Sequence, residues 1–253
     1  MLSLLINRFK KILFLLLVGA LLLATTTIGY ADDFIRYSIV DDTIETNYIQ
    51  DKPIIIRIGE YEGKAGKRVY LDDIGLHFID IPSDIKIHYD NEGAYIAEYD
   101  LNKKIATRLY NELNSRGVNV ILQDTTGRHN DLNAAGRLAN KSNPYMYLSI
   151  HTNYYDYSSK GFFIMTNQGD TQSRIIADRL SASIANNKMI PCREAILNTG
   201  NIGELNTIQE GTIAMLLEAG FYSNPHELIR LMSDSYSDYI ATHMSDEIIK
   251  ILK

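Results

Sequence analysis

The chain has 253 residues, of which 45% are hydrophobic and 22% charged, with a formal net charge of -6. Those fractions lie near globular averages and supply enough apolar material for a core, which excludes a disordered chain. The acidic balance excludes nucleic acid as the main partner, because phosphate binding needs clustered Lys and Arg. The single cysteine, Cys192, excludes an intrachain disulfide and a cysteine-based zinc cluster.

The first 31 residues hold Arg8, Lys10 and Lys11 and no acid, so the remainder carries -9 by the same count (-6 less three cations). A basic flank, the apolar run Ile12 to Ala24, and small residues at Gly29 and Ala31 read as a signal peptide or, with some extension, a membrane anchor over 1–31. Either form places the body outside the cytoplasm, secreted to the cell wall or tethered to the membrane. Residues 32–52 are polar and read as a linker. Pro53 to Ile58 is a β-branched run closed by Gly59, the pattern of a buried strand. The stretch 60–95 reads as a loop-and-hairpin insertion, with short strands at Val69–Leu71, Leu76–Ile81 and Ile85–Tyr89.

From Tyr95 the period changes. Ile96, Leu101, Ile105, Leu109 and Leu113 recur at helical spacing, and the segment stops at Arg116-Gly117. Val118 to Leu122 reads as a strand. Asn130-Asp131 can cap a helix running to about Lys141. Tyr145–Ile150 and Phe162–Met165 are strands, Thr171–Ala185 a helix, and Thr212–Leu217 a buried strand. Pro225 opens a short helix, and Ser235–Leu252 is the last. Strands alternating with helices give a single α/β domain over 53–253. Its sheet is mostly parallel or mixed, of about six strands, with helices on both faces.

Polar residues sit where two strands end. His151 follows Tyr147-Leu148-Ser149-Ile150, and Glu218 follows Ala214-Met215-Leu216-Leu217. Open α/β sheets bind ligands past the carboxyl ends of their strands, so one shared site explains both residues. No Gly-x-Ser-x-Gly elbow exists in the chain. The glycines after Gly59 lack P-loop spacing, with Arg68 in the Ser/Thr place. His129 and His226 read as surface residues, and Tyr154 and Tyr155 could stack on sugar faces.

Leu148-Ser149-Ile150-His151-Thr152-Asn153 resembles the "SIHxN" motif of the zinc-dependent N-acetylmuramoyl-L-alanine amidases. Arg137-Leu138-Ala139-Asn140 is similar to the helix preceding that motif, with altered spacing. Glu98-Tyr99-Asp100-Leu101-Asn102 resembles the family's Glu-bearing helix start. Glu218-Ala219-Gly220-Phe221-Tyr222-Ser223-Asn224-Pro225-His226-Glu227 resembles its "E-x-GF-x-SNP-x-E" segment. The resemblance implies hydrolysis of the amide between N-acetylmuramic acid and L-alanine in peptidoglycan. It also implies a zinc ion held by Glu98 and His151, Glu218 as general base, and Asn153 and Arg137 as substrate contacts.

The family's first motif, "D-x-GHGG", is degenerate here. Gly59 aligns, but Arg57 stands for the Asp and Glu60 for the zinc-binding His. Glu60 could itself bind the metal, although two carboxylates weaken a zinc ion's Lewis acidity. His77 or His88 from the insertion could swing in. The remaining reading is a catalytically impaired relative that binds peptidoglycan or a protein partner.

Overall fold

A computed structural model describes residues 51–60, 67–77, 81–124, 132–185, 192–198 and 202–253. All of these fall in one unit, Asn47–Lys253. The expected signal or anchor at 1–31, most of the linker, the Asn130-Asp131 cap and His129 lie outside the described residues. Among the described residues, no helix is long and apolar enough to cross a membrane.

A six-stranded sheet organises the chain. Its strands are β1 (Ile54–Ile58), β5 (Val120–Gln123), β6 (Met146–Asn153), β7 (Phe162–Thr166), β8 (Cys192–Asn198) and β9 (Ile213–Phe221). They lie in the order β5-β1-β6-β9-β7-β8. The first four run parallel, β7 is antiparallel to β9, and β8 is parallel to β7. The sheet is therefore mixed, as the alternation of elements predicts. β8 is the strand that periodicity misses, because Cys192-Arg193-Glu194 supplies no apolar start.

The insertion is a second sheet rather than a simple hairpin. β2 (Val69–Tyr70), β3 (Ile87–Tyr89) and β4 (Ala94–Ile96) form an antiparallel sheet in the order β2-β4-β3. Two expectations fail here. Leu76 and His77 are not strand; a 3-10 turn at Asp72–Ile74 precedes them. Ala94–Ile96 is strand rather than the start of the helix, since its β-branched and aromatic residues pair with β2 and β3.

Helix α1 (Glu98–Ser115) starts after the extended Ala97 and ends before Gly117, which adopts φ 79°. Its stripe of Leu101, Ile105, Leu109 and Leu113 is fully buried. These residues pack with Ile54, Ile56, Ile58, Met146, Leu148 and Ile150, which share one face of the sheet. Helix α5 (Asp234–Ile251) joins the same core through Ile240, Met244 and Ile248. The opposite face carries a smaller cluster. Ile55, Tyr147, Ala214 and Leu216 meet Ala139 of α2 (Leu132–Asn140) and Leu205 of a 3-10 turn at Leu205–Thr207. Helix α3 (Thr171–Ala185) packs into the larger core through Ile176, Leu180 and Ile184. Helix α4 (Pro225–Met232) opens with Asn224, whose side chain accepts from the backbone N–H groups of His226 and Glu227.

Candidate active site

Side chains alternate across a strand, so Tyr147, Ser149 and His151 point to the face opposite Leu148 and Ile150. The register puts Arg57 beside Ser149 and Glu218 beside His151. Three neighbouring parallel strands thus deliver Arg57, His151 and Glu218 to one end of one face. β1 and β6 approach very closely there. A Cβ on Gly59 would lie 2.5 Å from the His151 ring and 2.3 Å from the Ile150 carbonyl oxygen, so only glycine fits.

Glu60 follows in the left-handed region, at φ 58°. That conformation is uncommon for a residue with a side chain. It accompanies a carboxylate brought to the site: ligand-capable atoms of Glu60, Glu98 and His151 all lie within 4.8 Å of one another. Glu98, the first residue of α1, is oriented twice. Its Oε1 accepts from Asn102 Nδ2 at 3.1 Å and lies 3.0 Å from His151 Nδ1. Asn102 also donates to the Gly59 carbonyl at 3.1 Å, tying α1 to the end of β1.

Glu218 is half-buried, and its enclosed Oε2 has no hydrogen-bond partner among the described residues. Burial pushes its carboxyl up to about 8. The charge of His151 opposes that rise, and those of Glu98, Glu204 and Glu60 add to it. A carboxyl near neutrality is poised both to accept and to return a proton.

The second nitrogen of His151 faces a different set of groups. Arg57 Nη1 lies 3.2 Å from Nε2 and donates to Ser149 Oγ at 3.1 Å and to Glu204 Oε2 at 2.6 Å. Tyr147 donates its hydroxyl to Glu204 Oε1 at 3.0 Å. Arg57 is 3% exposed and Glu204 1%. Burial alone would raise the Glu204 carboxyl and lower the His151 imidazole. The ion pairs reverse both directions: His151 and Arg57 hold Glu204 well below the usual range, while Glu204 and Glu98 raise His151. Gly136 of α2 makes room for this turn, because a Cβ there would sit 2.0 Å from Thr207 Oγ1 and 2.9 Å from the Glu204 carbonyl oxygen.

The residues singled out from sequence do not all share this cluster. Glu60, Glu98, His151 and Glu218 assemble. Asn153 lies at the end of β6, where its carbonyl accepts from Tyr222 N–H at 2.9 Å. Arg137 is exposed on α2. His88 Nε2 is 2.6 Å from Asp100 Oδ2, and its ring stacks on Tyr95. His77 is exposed. Sequence reasoning missed Glu204, which no motif or periodicity marks. Arg57 did carry a signal, since a lone Arg within Ile54–Ile58 must be paired if the strand is buried.

The donor set fits a divalent cation. One imidazole and two carboxylates converge, the unpartnered Glu218 oxygen lies alongside, and three protein ligands leave a position for water, as hydrolytic zinc sites require.

A family model described as N-acetylmuramoyl-L-alanine amidase matches residues 86–250. The match spans Glu98, His151 and Glu218 and begins after Arg57 and Glu60. No curated protein sequence matches the chain significantly. Among solved structures, the N-acetylmuramoyl-L-alanine amidase AmiC2 of Nostoc punctiforme aligns at TM-score 0.60 and 18% identity, covering 80% of this chain and 97% of that one. The catalytic domain of CwlV from Bacillus (Paenibacillus) polymyxa var. colistinus aligns at 0.62 and 19%, covering 79% and 98%. The CwlD amidase from Clostridioides difficile aligns at 0.54 and 22%, covering 79% and 98%. At these identities the likeness establishes the fold.

Proposed function

Because the chain belongs to the N-acetylmuramoyl-L-alanine amidase family, we propose that it hydrolyses the bond between N-acetylmuramic acid and L-alanine of peptidoglycan, outside the cytoplasm. The observation that carries this reading is the convergence of Glu60, Glu98 and His151 beside the unpartnered Glu218 oxygen. Glu60, Glu98 and His151 would hold a zinc ion. When bound, such an ion polarises the scissile carbonyl and lowers the pKa of water to about 7. Glu218 takes the proton of the attacking water as the new C–O bond forms. It then gives that proton to the alanine nitrogen as the C–N bond breaks, leaving a muramic carboxylate and a peptide with a free N-terminal L-alanine. Asn102 keeps the Glu98 carboxylate aimed at His151 throughout. Asn153, at the end of β6 two residues after His151, and Arg137, exposed on α2, are the expected substrate contacts.

The same cluster favours a catalyst over a binding-only relative, since a binding role alone gives no reason to bury an unpartnered carboxyl oxygen. The test is direct. The zinc-supplied chain releases new N-terminal L-alanine from purified peptidoglycan. Release stops with chelator, and Glu218→Gln lowers it by roughly 10²–10⁴-fold, the usual contribution of a general acid–base. A folded, zinc-loaded chain that releases none overturns the reading and leaves cell-wall binding without turnover.

A further inference from the structure

The connection from β6 to β7, residues 154–161, leaves the sheet just past His151 and carries Tyr154, Tyr155 and Tyr157. Tyr155 is 67% exposed and Tyr157 58%; of the large hydrophobic side chains among the described residues, only Tyr89 is more so. Rings left in water contribute nothing to the fold by burial. The loop that carries them is nevertheless firmly held. Ser223 Oγ accepts from the Tyr155 N–H at 3.1 Å and donates to the Asp156 carbonyl at 3.0 Å. Asn224 Nδ2 donates to the Ser159 carbonyl at 3.0 Å, and Glu227 Oε2 accepts from the Gly161 N–H at 2.9 Å. Asp156 Oδ1 closes the turn from within, accepting from the N–H groups of Ser158 and Ser159. Such anchoring presents side chains in fixed places and lowers the ordering cost of binding.

The tyrosines also connect to the candidate metal cluster. Tyr222 is 1% exposed, and burial, with the charges of Glu98 and Glu60, raises its hydroxyl above the ordinary phenol range. The Tyr154 ring meets Tyr222 edge-on, with centroids 5.5 Å apart, and Lys67 Nζ stands 4.7 Å over the Tyr154 ring. Burial and the adjacent Tyr157 hold the Tyr154 phenol above its usual value. Tyr222, Tyr154 and Tyr157 therefore form a row of aromatic side chains leading from the cluster to solvent.

We propose that Tyr155 and Tyr157 form a stacking subsite for a sugar ring of the glycan strand. The scissile carbonyl is joined to the muramic sugar through a short lactyl ether, so a substrate seated at the cluster carries its sugar rings close by. A pyranose packs its C–H face on an aromatic ring and offers hydroxyls at its edge. Tyrosine answers both, with an apolar body and a polar tip, and loses little rotamer freedom on binding. The charges of the loop also suit a neutral ring. Asp156 and Lys160 are its only ionic side chains, one of each sign, with no cluster of cations to draw an acidic peptide.

This inference rests on the proposed peptidoglycan substrate, and a probe that cannot be cut separates the two. Chitotetraose, a peptide-free oligomer of N-acetylglucosamine, is titrated into the full chain, and the tyrosine ring resonances are followed by NMR. In the wild type the Tyr155 and Tyr157 signals move and saturate. Tyr155→Ala and Tyr157→Ala each weaken binding about 3–10-fold, the worth of one aromatic contact, and melt with the wild type because both side chains are exposed. Tyr157→Phe keeps the ring and binds within twofold of the wild type. The KM for peptidoglycan fragments rises in the alanine variants by a factor similar to the loss of chitotetraose affinity. A wild type that binds no chitotetraose overturns the proposal. So do alanine variants that bind it within twofold of the wild type, or that lose affinity only for a soluble stem peptide. If alanine release from peptidoglycan persists in those cases, the amidase reading survives alone. A wild type that binds chitotetraose through both tyrosines yet releases no alanine overturns the amidase reading and leaves the glycan subsite standing.

Discussion

β1 and β6 have two faces built on opposite principles. Toward α1 and α5, Ile54, Ile56, Ile58, Met146, Leu148 and Ile150 form an unbroken apolar layer. Toward α2, the same strands begin apolar, with Ile55 and Tyr147, and end in Arg57, Ser149 and His151. The strands are buried on both faces, so the polar end has no water to satisfy it. It needs partners from elsewhere in the chain, and it takes Glu204 from a turn and Glu98 from a helix start. The apolar face stabilises the fold by area alone. The polar face is held by a few specific contacts, each costly to remove.

That contrast can be broken at either face. The largest effect on stability is expected from Arg57→Met alone, which strands the buried Glu204 carboxylate and lowers the unfolding free energy by about 3–5 kcal/mol. The double variant with Glu204→Met restores most of that loss, and denaturant unfolding of the pair measures the difference. On the apolar face, Leu148→Ala removes a fully buried side chain between β1 and β9 and costs about 2–5 kcal/mol. It leaves the zinc affinity of the folded protein within twofold of the wild type, because Leu148 points away from the cluster. The smallest effect belongs to a contact outside both faces. Asn224→Ala removes the cap of α4 and costs about 1 kcal/mol, read as a modest fall in melting temperature.

The legible parts of the site are those that local pattern fixes. His151 and Glu218 follow apolar runs, although β6 and β9 continue past them to Asn153 and Phe221 rather than ending at Ile150 and Leu217, and Glu98 opens an amphipathic helix; each position follows from periodicity and from short motifs around it. Glu60 is legible as the residue standing where a ligand is due. Glu204 is not, because it precedes a three-residue turn with no repeating pattern, and its partner lies 147 positions earlier. Only the folded sheet brings the two together. The failures in the fold have the same origin. β4 merges with the periodicity of α1 because Ile96 satisfies both patterns. β8 has no alternation to betray it, being an edge strand that owes its place to β7.

The left-handed backbone at Glu60 bears on how such a centre changes over time. Aspartate, asparagine and histidine enter that conformation several times more readily than most side chains. Glu60→His therefore meets little conformational resistance, whereas the reverse exchange is the less favourable direction. The scaffold tolerates a swap of donor atom at this one position without moving β1, α1 or the glycine between them. In the proposed metal site, carboxylate in place of imidazole would give a harder donor set, more hospitable to manganese or magnesium than a nitrogen-richer one. Position 60 is thus a point at which metal preference can drift while the fold stays fixed.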